Sequence, residues 1–175
     1  MGTDNILVTS KDTLALKREE FHSIGISISL PETFRELTEE ERNRRPTIPD
    51  GSEVVRVDME NKLSFMVNTT PVEIKNTKSE PETVVQLISD QKKVFSRLSP
   101  GYQEAGLWRK EIDGHTVACL SYKSNSIEDD LYTVFFLCIH KGNMIFGTFT
   151  SVYSDDVEWN PTFLMCLESL QFIEK

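Results

Sequence analysis

The sequence predicts an α+β fold, an antiparallel β-sheet with helices packed on it. Three observations lead there. Leu131–Val152, LYTVFFLCIHKGNMIFGTFTSV, is the longest apolar run and is interrupted by a turn signal, Lys141-Gly142-Asn143. Two further pairs of strand-like segments flank Glu60-Asn61 and Asp113-Gly114. One long segment, Ser79–Leu98, has helical periodicity instead. Runs of strands joined by hairpins make an antiparallel sheet, and helices between such runs lie on it.

From the N-terminus, Met1–Asp12 is polar with one apolar patch, Ile6-Leu7-Val8, a mobile lead or a short edge strand. Leu14-Ala15-Leu16 begins the domain. In Phe21–Leu30, Ile24, Ile26, Ile28 and Leu30 alternate with Gly25, Ser27 and Ser29, which predicts a half-buried strand with one wet face, ended by Pro31. In TEEERNRR, Thr38 and Glu41 form a capping box. Glu40–Arg44 and Glu41–Arg45 are i,i+4 pairs, and this self-paired pattern reads as a short solvated helix rather than an anion site. Pro46–Gly51 is a turn-rich loop. Val54–Met59 and Lys62–Thr69 form a hairpin in which Leu63, Phe65 and Val67 alternate. Val72–Lys78 is a loop.

Ser79 and Glu82 cap the long helix, with Pro81 in the first turn where its missing N–H is harmless. Val84, Leu87, Ile88, Val94, Phe95 and Leu98 fall on one stripe, and Lys92, Lys93 and Arg97 suit the C-terminal dipole. Ser99-Pro100-Gly101 stops it. Leu107–Ile112 and His115–Tyr122 flank a type I′ signal. In the central hairpin, a two-residue loop at Gly142-Asn143 would set Ile139 opposite Phe146, Leu137 opposite Thr148 and Phe136 opposite Phe149; a three-residue loop would shift that register. Both faces are apolar, so the strands are central and covered on both sides. Gly147 leaves room for something bulky to cross it. Asn160-Pro161 caps a last helix with Phe163, Leu164, Leu167 and Leu170 on its apolar face, and Phe172-Ile173 closes with a short strand.

The division is therefore a lead over 1–12 and a single domain over 13–175 of the 175 residues. A chain of this length buries about 70% of its unfolded surface and needs no metal or disulfide to hold it. Its net charge of −9 excludes a phosphate-tracking nucleic-acid binder and a polybasic membrane surface. No run reaches membrane-spanning length without polar interruption. The three cysteines, Cys119, Cys138 and Cys166, sit in apolar runs and read as buried free thiols of a reducing compartment, the cytoplasm. Met1–Ser10 shows no signal peptide; a leader upstream of Met1 would place the chain in the cell envelope instead.

Chemistry is scarce. His140 lies two residues from Cys138, but two further metal ligands are missing. His115 with Cys119 or Cys138 is the conceivable nucleophile pair, and core thiols beside a surface histidine is the simpler reading. His140, next to the turn, reads as a partly exposed strand-end side chain. No nucleophile elbow, phosphate-cradling glycine loop or His-Glu-x-x-His is present. Asp129-Asp130 and Asp155-Asp156-x-Glu158 lack the ligand spacing of a calcium loop and read as solvated acid. The chain is thus read as a non-enzyme with no catalytic, cofactor or metal residues. Trp108, Trp159 and Tyr153 lie near element ends and are the interface candidates, although core packing is equally able to place them.

The layout over Val84–Val152 also resembles a family pattern. It comprises an amphipathic helix ending Leu98-Ser99-Pro100-Gly101-Tyr102, a strand, Asp113-Gly114, a strand ending Ser121-Tyr122, and two long strands around Lys141-Gly142-Asn143 ending Gly147-Thr148-Phe149-Thr150. Upstream, Ile26-Ser27-Ile28-Ser29-Leu30-Pro31 matches its entry strand. This resembles the bacterial DcrB-type domains of the PsbP-like superfamily, which also includes photosystem extrinsic proteins and a Ran-GTPase-binding nuclear protein. The resemblance implies an α/β/α sandwich and a non-enzymatic role, as in lipoproteins, docking proteins and secretion-effector chaperones. It transfers no functional residue, and no lipoprotein leader with its acylated cysteine is visible. The expected function is a non-catalytic protein-binding module of adaptor or chaperone type, with an unidentified protein partner and a homodimer permitted by a flat apolar face. The alternative is a carrier of a small hydrophobic ligand, in a pocket between sheet and helix near Gly147.

Overall fold

The computed structural model describes residues 6–8, 13–44 and 53–174, the side chains of 6–8, 13, 14 and 155–158 excepted. The Pro46–Gly51 loop, the Arg45 partner expected for Glu41 and the side chains of the Asp155–Glu158 cluster fall outside these residues. The strands are β1 (Ile6–Val8), β2 (Thr13–Phe21), β3 (Ile26–Pro31), β4 (Val54–Asp58), β5 (Leu63–Pro71), β6 (Gln103–Ile112), β7 (His115–Ser124), β8 (Leu131–His140), β9 (Asn143–Val152) and β10 (Gln171–Phe172). The helices are α1 (Glu39–Arg44), α2 (Glu80–Leu98) and α3 (Asp156–Glu168). A six-stranded antiparallel sheet runs β4-β5-β9-β8-β7-β6, and a smaller sheet runs β1-β2-β3-β10.

The central hairpin lies in the middle of the large sheet, but its turn is Lys141-Gly142, both with positive φ (50° and 73°). His140 therefore pairs with Asn143, Leu137 with Phe146 and Phe136 with Gly147. This is two residues from the register expected for a Gly142-Asn143 loop. A slip of two preserves the side-chain parity, so every residue still faces the side its period assigns. Asn143 is then a strand residue, paired with His140 and Pro71, and its side-chain amide donates to the Lys141 carbonyl. At Asp113-Gly114 the same pair of positive φ values (49° and 77°) makes the expected tight turn.

Each face of the sheet has its own core. On one, α2 packs Val84 and Ile88 against Ala118, Leu120, Tyr122, Phe135, Leu137 and Ile139. On the other, Phe65, Val67, Val117, Cys119, Val134, Phe136, Cys138, Ile145 and Phe149 meet the small sheet and α3. The C-terminal helix thus covers the face opposite α2. It also starts at Asp156, earlier than the Asn160-Pro161 cap, with Pro161 inside it. Of the expected apolar face, Phe163, Leu167 and Leu170 are buried, joined by Cys166, while Leu164 is only half-buried.

The entry strand departs from expectation as well. Phe21 closes β2, and 22–25 form the turn into β3. All six residues of β3 are buried. The serine face is not wet because Arg18 folds over Ser27, its guanidinium donating to the Ser27 hydroxyl at 2.7 Å and to the Ser169 carbonyl at 3.1 Å. The Ser29 N–H donates to the Ser169 hydroxyl at 2.8 Å. Serine marks polarity, and a long-range arginine supplies the partners that water would have given. At the other edge, Arg56 from β4 lies 5.0 Å over the Phe21 ring and pairs with Glu19 (3.2 Å) and Glu36 (3.4 Å), tying the two sheets together. The capping boxes at Thr38/Glu41 and Ser79/Glu82 form as read.

Candidate functional site

All three thiols are buried and free. Burial pushes Cys138 and Cys166 up to about 12 and Cys119 still higher. A cysteine nucleophile needs the opposite shift, toward thiolate at neutral pH. His140, read as a partly exposed strand-end residue, is instead only 6% exposed. Its ring nitrogens face His115 Nε2 and the Ile173 carbonyl, both at 3.2 Å, so neither is turned to a thiol. Among the described residues no group of three or more His, Cys, Asp or Glu is placed to share a metal ion. Lys123 and Lys62 pair with the Asp130 and Asp129 carboxylates at 3.3 and 3.4 Å.

The interface candidates separate by depth. Trp159 is 6% exposed and belongs to the core beneath α3. Trp108 is half-buried against the same core. Tyr153 is 41% exposed, with the Lys123 ammonium 4.6 Å over its ring. The three do not meet on one surface: the first two are turned toward the chain's own interior.

The geometry that does form a site is a consequence of widths. Six strands about 4.8 Å apart span roughly 24 Å, while one helix covers about 10–12 Å. The α2 helix lies over β7 and β8 and leaves both flanks of its face open. On one flank a cleft of about 260 Å³ runs between α2 and β5, β9. Met66, Phe95, Phe135, Met144 and Phe146 make its apolar wall, the backbone at Gly147 its floor, and Glu53, Asn68, Gln91 and Thr148 its polar edge. On the other flank a shallower hollow of about 470 Å³ lies between α2 and β6, beside the exposed Val85 and Leu107. The strand period explains the first: Leu63, Phe65 and Val67 point into the core, which turns Met66 and Asn68 outward. Val94 and Leu98, expected on the buried stripe, are exposed, Leu98 at 76%, although Phe95 between them packs on the sheet.

Gly147 is required, though by the opposite face. A Cβ there would lie 2.3 Å from the Met66 carbonyl oxygen and 2.8 Å from the Phe136 ring, which crosses the position as the missing side chain suggested. Beside the cleft, Phe95 packs on Tyr122 and Phe135 with centroids 5.3 and 5.0 Å away, and Tyr102 lies 5.1 Å from Tyr122. The Tyr102 hydroxyl is buried without a hydrogen-bond partner among the described residues. Sequence reasoning placed a pocket near Gly147 but did not identify Met66 and Met144 as its wall. The outward alternation in β5 was the available signal.

This fold is PsbP-like. Among solved structures, the chain is similar to the cyanobacterial PsbP protein CyanoP of Synechocystis sp. PCC 6803, with a TM-score of 0.65 and 13% identity over 95% of this chain and 97% of that one. It is also similar to PA94 of Pseudomonas aeruginosa, a protein of unknown function (TM-score 0.55, 13% identity, 88% and 94% covered). A third is LpqN of Mycobacterium tuberculosis, involved in cell envelope biogenesis (TM-score 0.51, 12% identity, 85% and 83% covered). No family model and no curated protein sequence matches the chain. No helix among the described residues is long and apolar enough to cross a membrane.

Proposed function

We propose that the chain is a non-catalytic protein-binding module of the adaptor or chaperone type, which takes an apolar anchor of its protein partner into the cleft between α2 and β5–β9. One observation carries this reading: among the described residues, an apolar flank walled by Met66, Met144 and Phe146 is left open on a sheet face that α2 covers only over β7 and β8. Methionines suit such a surface because their unbranched, polarisable side chains adapt to a partner's shape. The thiols, held as core groups, are poor nucleophile candidates and, as free cysteines, suit a reducing compartment such as the cytoplasm. The alternative occupant is a small hydrophobic ligand. The cleft's size favours the protein: about 260 Å³ is below the roughly 300–1,000 Å³ of pockets that enclose drug-sized ligands.

The test is affinity capture from a lysate of the source organism with the wild-type chain and with Met66→Glu, followed by titration of the captured protein. A partner bound by the wild type and weakened at least tenfold by Met66→Glu supports the module. Native mass spectrometry that finds a small apolar molecule on the wild type, absent from Met66→Glu, with no partner retained, supports the carrier instead.

A further inference from the structure

On the face opposite the cleft, the last residues are strapped across the end of both sheets by two histidines. Phe172, in β10, pairs with Ile26 of β3 and stacks on the His115 ring with centroids 3.8 Å apart. Its N–H donates to the Asp113 carboxylate at 2.9 Å. The Ile173 N–H donates to the Gly25 carbonyl at 2.9 Å. A chain of imidazole contacts then runs through the strap. His115 Nδ1 lies 3.0 Å from the Asp113 carbonyl, His115 Nε2 lies 3.2 Å from His140 Nδ1, and His140 Nε2 lies 3.2 Å from the Ile173 carbonyl.

The proton count of this chain is fixed by its ends. A carbonyl oxygen only accepts, so both terminal nitrogens must carry hydrogen. The nitrogen–nitrogen contact in the middle needs one more hydrogen, on either ring. Three N–H groups on two imidazoles exceed the two that a neutral pair carries. We infer that His115 and His140 share one extra proton and that this proton latches the C-terminal strand β10 onto the core. When the pair gives the proton to solvent, two lone pairs face each other or one carbonyl loses its donor, and the strap loosens. The docked strap holds the proton and the loosened one does not, so docking is favoured at low pH and weakens as pH rises.

The surrounding charges belong to the same balance. From the β6–β7 turn, the Asp113 carboxylate is engaged by the Phe172 N–H of the strap. The Lys141 ammonium, 3.5 Å from the Ile173 carbonyl, opposes the cationic form of the pair and keeps a second donor on that oxygen, so the strap loosens rather than detaches. Glu174 follows the strap and is exposed. From β6, Glu111 is engaged by the Thr116 hydroxyl at 2.5 Å, and from the β2–β3 turn, His22 is exposed and held by Glu20 at 3.1 Å.

The test uses the full chain labelled with ¹⁵N, scanned from about pH 5 to pH 9. Imidazole nitrogen spectra count the ring protons directly, and amide exchange at Phe172 and Ile173, corrected for base catalysis, reads the strap. Three ring N–H at the acid end are expected. Loss of one should accompany a fall in Phe172 and Ile173 protection that approaches tenfold per pH unit. His115→Phe keeps the stack on Phe172 and should abolish that pH slope. Two ring N–H at every pH, or an unchanged slope in His115→Phe, overturns the inference. The ring count requires no variant to fold.

Discussion

At the scale of single residues, the close approaches decide what is replaceable. Gly147 is the sharpest case, because its Cβ would meet a backbone carbonyl as well as a ring. Gly147→Ala is expected to cost about 1–3 kcal/mol, read as a lowered urea midpoint. Adding Phe136→Leu is expected to leave most of that loss, since the Met66 carbonyl cannot move aside without breaking its strand. Glu41 shows a residue whose partner lay outside the sequence pattern. The Arg35 guanidinium, with two 2.9 Å bonds, and then the Thr38 N–H hold its carboxyl down at about 2. A depressed folded value means the contribution is present above the ordinary carboxylate range and is lost as pH falls through about 2. A carboxyl ¹³C titration is expected to show this, and Arg35→Ala to move Glu41 back up.

At the scale of elements, local signals were legible where they were self-contained. The Ser79/Glu82 box, the Asp113-Gly114 turn and the alternation in β5 each need only neighbours in sequence. Ser79→Ala is expected to destabilise the chain by about 1 kcal/mol in chemical denaturation, as loss of a helix cap does elsewhere. The hairpin turn was misread by one residue because Gly142 fits either half of a primed turn, and only pairing with β5 and β7 fixes which. Likewise Ser27 and Ser29 look solvent-facing by period, yet Arg18 and Ser169 arrive from nine and more than a hundred residues away. The open cleft was half legible. Gly147 pointed to the place, but the width that α2 fails to cover depends on how many strands join the sheet.

At the scale of the whole molecule, one sheet with two unequal covers explains both stability and candidate function. The α3 side is closed by a second sheet and a helix, and Phe163 there stacks on Phe149 at 5.2 Å. Phe163→Ala is expected to cost about 3–5 kcal/mol while keeping a single transition, with near- and far-ultraviolet dichroism coincident. Among the described residues the α2 side is closed by one helix, and its flanks carry the exposed Val85 and Leu107 and the partly open Phe146. The sequence by itself determined the α+β class, the helix and its caps, the two-faced apolar hairpin and the burial of the thiols, because each follows from composition or period within one segment. The tertiary structure alone decided that α3 lies opposite α2, that Trp159 is core, that His115 meets His140 at the C-terminal strand, and that a Met-walled cleft stays open. Those depend on which distant segments share a face, and strand period assigns a side without assigning what will cover it.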